Sequence, residues 1–154
     1  MDALRSIAER VPLVWPVHPR TRARLGDLQP ARSGSAEPRL LLTEPLGYLD
    51  FLQLMDGARL VLTDSGGIQE ETTVLGVPCL TLRTTTERPV TLIEGANRLV
   101  DPYDEAAILG AVDDVLAAPM PQAHRPELWD GHAAERIVAV IADWAASRLP
   151  SDGT

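Results

Sequence analysis

Short apolar runs alternate with segments of helical period along most of this 154-residue chain, and that alternation restricts the fold more than any other feature. The runs Leu13–His18, Arg39–Thr43, Arg59–Thr63, Cys79–Leu82 and Arg98–Val100 read as strands. The third is apolar without alternation, as expected of a strand covered on both faces. Helices are expected over Ala3–Glu9, Gly47–Met55, Ile68–Leu75, Asp104–Leu116 and Ala133–Trp144. Strands that take turns with helices give an α/β domain, a Rossmann-like parallel sheet of about five strands flanked by helices.

Punctuation between the elements supports that division. Gly76 followed by Pro78 stops the helix that begins near Ile68, and Asp104 with Glu105 suits the positive end of the next dipole. Pro16 is a blemish within the first strand. Ile137, Val140, Ile141 and Trp144 recur at spacings of three and four, an amphipathic stripe on the last helix. Gly26–Pro38 reads as a surface loop with at most a helical fragment, and Ala118–Pro126 as a proline-bearing loop. The domain is read as residues 1–148, with 149–154 a disordered tail.

Charge and cysteine usage narrow the partners. A formal net charge of -8 argues against nucleic acid and anionic membrane, both of which need a basic footprint. It leaves a nucleotide open, because a few backbone amides and one arginine hold a diphosphate locally. Cys79 is the single cysteine, so no internal disulfide forms and a cytoplasmic setting is expected. Asp2, Arg5, Glu9 and Arg10 interrupt any apolar stretch that would read as a secretory signal. No Cys/His cluster or acidic run has metal-ligand spacing, so no metal is expected.

The chemistry concentrates between Leu60 and Arg88. A strand ends in Thr63-Asp64-Ser65-Gly66-Gly67 and a helix follows at once. Paired glycines let a ligand approach the backbone, and the helix start offers unpaired N–H groups and a positive dipole end. The plainer reading is an ordinary strand-to-helix turn, capped by Ser65 or Gly66 with Gln69 in a capping box. Glu71 is placed to accept hydrogen bonds from vicinal hydroxyls of a ribose, or else Glu70 and Glu71 only stabilise the helix start. One strand later, Arg83-Thr84-Thr85-Thr86-Glu87-Arg88-Pro89 forms a polar turn at another carboxyl edge. There Arg88 either binds a phosphate oxygen or pairs as a surface arginine with Glu87 or Glu94. His18, at a strand end, either caps its own turn or borders a cleft.

Asp64-Ser65-Gly66-Gly67-Ile68-Gln69-Glu70-Glu71, then Leu75-Gly76-Val77-Pro78, then Thr85-Thr86-Glu87-Arg88-Pro89 closely resembles the non-hydrolysing UDP-N-acetylglucosamine 2-epimerases. Val17-His18-Pro19, the Pro45–Met55 segment with Tyr48 and Phe51, Glu94–Val100 and Trp129-Asp130-Gly131-His132-Ala133 fall in that family's order. The resemblance covers nearly the whole chain except the tail. It implies one half, the carboxyl-terminal one, of a two-domain fold of the glycosyltransferase B type. On that resemblance Ser65, Gly66 and Gly67 would hold the diphosphate of a UDP-sugar, Glu71 its ribose, and Arg88 would face the nucleotide-sugar side. Phe51 would pack near the uracil and the backbone around Leu46 would read its edge; many members have a glutamine where Leu46 stands. His18 would border the cleft near a second, regulatory UDP-sugar.

The activity implied is interconversion of UDP-N-acetylglucosamine and UDP-N-acetylmannosamine by elimination and re-addition of UDP, supplying units for cell-surface polysaccharide. The resemblance implies no cofactor, homodimers for full-length members, and acid/base groups that come mostly from the amino-terminal half. This chain alone is therefore expected to have negligible epimerase activity unless that half is supplied separately. The alternatives are a non-catalytic UDP-binding remnant, or the nucleotide half of a hydrolysing epimerase or glycosyltransferase.

Overall fold

The computed structural model describes residues 1–25, 39–121 and 124–148. The 26–38 loop, part of the 118–126 loop and the 149–154 tail lie outside the described residues. Helix α1 (Asp2–Ala8) leads into strand β1 (Leu13–Pro16), helix α2 (Pro19–Leu25) and strand β2 (Leu40–Thr43). Helix α3 (Tyr48–Asp56), strand β3 (Val61–Thr63), helix α4 (Gly66–Leu75) and strand β4 (Cys79–Leu82) follow. Helix α5 (Pro89–Ile93), strand β5 (Asn97–Val100) and helices α6 (Glu105–Ala117) and α7 (Ala133–Ala146) close the order.

Every ladder is parallel, so the α/β class expected from the alternation is what forms. The five expected strands divide into two hydrogen-bonded groups, β1–β2 and β3–β4–β5. Pro16 is tolerated because it stands at the last paired position of β1, opposite Thr43, where few ladder bonds are lost. Both groups serve one core: Leu13 of β1 and Leu62 of β3 pack against a cluster of Ile7, Leu80, Val100, Ile108, Ala111 and Val112. Ile108, Ala111 and Val112 recur at helical spacing, so α6 lays one stripe on the sheet from one side.

The helix ends follow their sequence signals. The Asp104 carboxylate accepts the N–H of Ala107 at 2.9 Å and so caps α6. Gly76 takes φ 71, the left-handed conformation that ends α4. Val77 N–H then bonds back to Thr72 O at 2.9 Å.

Four elements differ from expectation. Helices α2 and α5 were not foreseen; each opens on a proline, which supplies a fixed φ and no N–H where none is needed. Helix α4 starts at Gly66 rather than Ile68, so the two glycines are its first residues and not a turn before it. The stripe of α7 does form, but Ile137, Val140, Ile141 and Trp144 are all exposed. The core cluster is built from α1, α6 and the strands, and no residue of α7 belongs to it.

Candidate functional site

Parallel strands end at the same edge, so the turns that follow β3 and β4 are brought side by side. Their proximity is direct: a methyl group on Gly66 would come within 2.5 Å of Glu87 Oε1. Gly67 faces open space, with nothing within 4 Å of where its Cβ would stand. The packing of the protein therefore does not require glycine at Gly67, whereas a ligand lying on the backbone would.

At the start of α4 no side chain caps the helix. Ser65 occupies the N-cap position in an extended conformation, without a side-chain cap bond. Its own N–H donates to Thr63 Oγ1 at 3.1 Å. The first-turn amides, including those of Gly66 and Gly67, have no intrahelical acceptors and are aligned with the dipole, which is the arrangement that receives anions. Gln69 does not complete a capping box. It is fully buried, and its Nε2 donates instead to the Ser65 carbonyl at 3.3 Å.

Arg88 stands at the N-cap of α5. Its partner is neither Glu87 nor Glu94: Nε lies 2.9 Å from Glu70 Oε1, which belongs to α4. The pair is half exposed, with Arg88 at 41% and Glu70 at 40%, so it contributes little to stability but does turn the guanidinium toward α4. That Nε makes no well-angled hydrogen bond, so the contact is an ion pair rather than a directed bond. Glu87 is taken by Arg83 at 3.0 Å. Its own backbone N–H, and then the Arg83 and Arg88 guanidinium groups, hold the exposed Glu87 carboxyl below the usual carboxylate range. Two arginines thus face two glutamates here, and the side chains nearly cancel. What is left to attract an anion is the helix terminus.

The other residues singled out from sequence lie around this edge in different ways. Glu70 and Glu71 sit in the second turn of α4, past its first acidic-favouring turn. Glu71 lines a cleft of about 440 Å³ together with Tyr48 and Leu52 of α3 and with Trp129. Phe51 is half-buried on α3 and does not line that cleft; Leu46 is 39% exposed in the turn before α3. Ser65, Gly67 and Arg88 lie outside the cleft, so Glu71 is gathered with α3 and the others with the α4 terminus. His18 accepts the Arg20 N–H through Nδ1 at 3.2 Å, and its carbonyl accepts from Thr21 and Arg22. It therefore caps the start of α2 while its ring stays exposed.

Sequence reading missed the buried polar side chains behind the site. The face that α4 buries carries Gln69, Thr72 and Thr73, a helical stripe that is polar, while Val74 is left 46% exposed. A periodicity count keyed to apolar residues passes over such a face; polar residues at spacings of three and four would have been the signal. Among the described residues, no group of three or more His, Cys, Asp or Glu side chains is placed to hold a metal ion. Nor is any helix there long and apolar enough to cross a membrane.

The family model for UDP-N-acetylglucosamine 2-epimerase matches residues 1–142. The UDP-N-acetylglucosamine 2-epimerase of Methanocaldococcus jannaschii is 40% identical over 134 residues, a stretch that covers 84% of this chain and 34% of that protein. The Escherichia coli enzyme of the same name is 38% identical over 148 residues, covering 90% and 38%. Among solved structures, the Methanocaldococcus jannaschii enzyme in complex with UDP-GlcNAc and UDP superposes with a TM-score of 0.74 at 36% identity, over 92% of this chain and 39% of that one. The Neisseria meningitidis enzyme bound to UDP-GlcNAc gives 0.70 at 32% identity, over 92% and 40%. The chain thus spans well under half the length of these relatives. By the extent of the match and by its fold, the chain belongs to the UDP-N-acetylglucosamine 2-epimerase family.

Proposed function

We propose that this chain is the carboxyl-terminal, nucleotide-binding domain of a UDP-N-acetylglucosamine 2-epimerase, and that it holds the UDP part of the substrate. The observation that carries the reading is the meeting of two strand-end turns, one offering the α4 amides beside an open Gly67 and the other Arg88. Relatives with the same architecture have been solved with UDP-GlcNAc and UDP, which supports a uridine nucleotide as the ligand.

In this reading the diphosphate lies on the amides of Gly66 and Gly67, where dipole and N–H groups act together, with the Ser65 hydroxyl, which makes no cap bond, beside them. Arg88 closes on it from the neighbouring turn, exchanging part of its contact with Glu70 for a phosphate oxygen. The Glu71 carboxylate accepts from the ribose hydroxyls, and the α3 side, with Leu46 and Phe51, receives the uracil. His18, at the start of α2, would border the cleft toward a second UDP-sugar. Epimerisation removes the proton at C2 and expels UDP from C1; UDP is then added back at C1 while a proton returns to C2 from the opposite face. These 154 residues would supply the hold on the leaving group, while proton transfer at C2 needs groups from the rest of the family fold. The chain alone is expected to turn over UDP-GlcNAc negligibly, because one side of a cleft neither excludes water nor positions both reacting groups.

Calorimetric titration of UDP into the purified chain tests the reading. Saturable binding is expected, and Glu71→Ala should weaken it by about 1 kcal/mol or more, the worth of a hydrogen bond to a charged group. A folded chain that takes up no UDP would overturn it.

A further inference from the structure

Behind the site, five buried or half-buried polar side chains form one connected network, and it ends on the two groups proposed to grip the diphosphate. Gln69 is the branch point. Its Oε1 accepts the Thr86 hydroxyl at 2.6 Å and Asn97 Nδ2 at 3.2 Å, while its Nε2 reaches the Ser65 carbonyl. Asn97 Nδ2 also donates to Thr91 Oγ1 at 3.0 Å, and Asn97 Oδ1 accepts the Thr81 hydroxyl at 2.7 Å. The proton assignment closes without conflict: each hydroxyl donates once, and each amide uses both its ends.

Both backbone groups of Arg88 are held by this network. Thr86 Oγ1 accepts the Arg88 N–H at 3.0 Å, and the Thr91 hydroxyl donates to the Arg88 carbonyl at 2.8 Å. Arg88 meanwhile has φ -121 and ψ 58, away from helix and strand, a conformation that its neighbours must fix. Gln69, Thr81 and Thr91 show no exposed surface and Asn97 only 7%, so losing any one bond leaves a dry polar group unpaired.

We infer that Gln69 and Asn97 are positioning residues that set Arg88 at a fixed place relative to the Gly66 and Gly67 amides, so that both reach the same diphosphate. The inference rests on the proposed UDP site. A hydrophobic pair in their place would pack these elements as well, but it would leave the Arg88 turn free to drift from the α4 terminus. Gln69 does not touch the ligand; it acts through Ser65 on one side and through Thr86 on the other.

The test is a coupling measurement on the 154-residue chain. UDP and uridine affinities are measured for wild type, Gln69→Met, Arg88→Ala and the double variant, with the fold followed by circular dichroism. Gln69→Met should stay folded and lose about tenfold or more in UDP affinity, the size of one charge-assisted bond. Its uridine affinity should not change, since the network touches only the diphosphate side. Arg88→Ala should cost about tenfold in the wild-type background and less than about twofold on top of Gln69→Met, because an unpositioned arginine has little left to lose. If the two penalties multiply, if UDP and uridine weaken equally, or if Gln69→Met binds UDP like wild type, the inference is overturned. Should Gln69→Met fail to fold, Thr86→Val, which removes a half-buried hydroxyl at the rim of the network, is read by the same criteria. Absence of UDP binding by wild type is a separate outcome: it overturns the nucleotide reading itself, and this inference with it.

Discussion

Gly66 and Gly67 are adjacent and chemically identical, yet the structure asks different things of them. A side chain on Gly66 would press on the end of Glu87, while one on Gly67 would meet only open space. Gly67→Ala should therefore leave the fold intact and raise its stability slightly, by up to about 1 kcal/mol, since alanine is the better helix residue. The same methyl group would stand over the amides proposed to receive the diphosphate. UDP affinity should fall by about tenfold or more, comparable to losing one bond to a charged group. Thermal denaturation and a UDP titration on one sample check both halves. A stabilised protein with unchanged UDP affinity would mean that no ligand lies against Gly67. Glu71 and Gln69 divide in a similar way: Glu71 faces an open cleft, while Gln69 is buried and bonded to its neighbours.

Elements are held at their ends as much as along their faces. The last carbonyls of α6 are gathered by Arg59, which precedes β3: its Nη2 donates to Val115 O at 2.8 Å and Leu116 O at 3.3 Å, and also to Ala118 O. A cation at a helix C-terminus is favoured by the dipole and by the orphan carbonyls together. Arg59→Ala should cost about 1–2 kcal/mol in urea denaturation, with Arg59→Lys recovering only part because an ammonium cannot span the same fan of acceptors. An Arg59→Ala chain as stable as wild type would show these bonds to be incidental. The two unforeseen helices belong to this scale as well. Each begins on the proline that follows a residue singled out as functional, His18 or Arg88, so those residues stand at helix starts. There the His18 ring and the Arg88 backbone are already engaged, while the Arg88 guanidinium is held by its half-exposed pair with Glu70.

For the whole molecule, the charge set makes pH an unusually clean probe. All 14 basic side chains are arginine, and the two tyrosines, Tyr48 and Tyr103, are exposed. Between about pH 8 and 10 the buried side-chain group able to titrate is the Cys79 thiol. Burial pushes its thiol up, against weaker opposing hydrogen bonds from Thr72 and Thr81. A raised folded-state pKa means that the folded protein keeps its proton where the unfolded chain loses it. Stability is then flat below the unfolded thiol pKa, about 8.5, and falls as pH rises above it. Urea denaturation from pH 7 to 10 should show that decline, and Cys79→Ala should abolish it. An identical decline in Cys79→Ala would assign it to other groups. At the same scale, α7 stands apart. Its start is tied by Asp130 and Arg136, whose ion pair holds the Asp130 carboxyl well below the usual range, yet its apolar stripe covers no part of the core.

Sequence alone determined the class of fold, because hydrophobic period and helix punctuation are local and act before any tertiary contact. The strands at Leu40–Thr43 and Cys79–Leu82, the stop at Gly76 and the cap at Asp104 were all legible in this way. The family was legible for a related reason: the run from Asp64 to Pro89 keeps its residues in one fixed order. Partners across the fold were not legible. That Arg88 meets Glu70 rather than Glu87, that Gln69 joins Ser65 to Thr86, and that α7 keeps its stripe exposed depend on which turns the parallel strands bring to one edge. A hydrogen bond requires two groups within about 3 Å in a set direction. Only the tertiary structure fixes that distance for residues 17 or 28 positions apart.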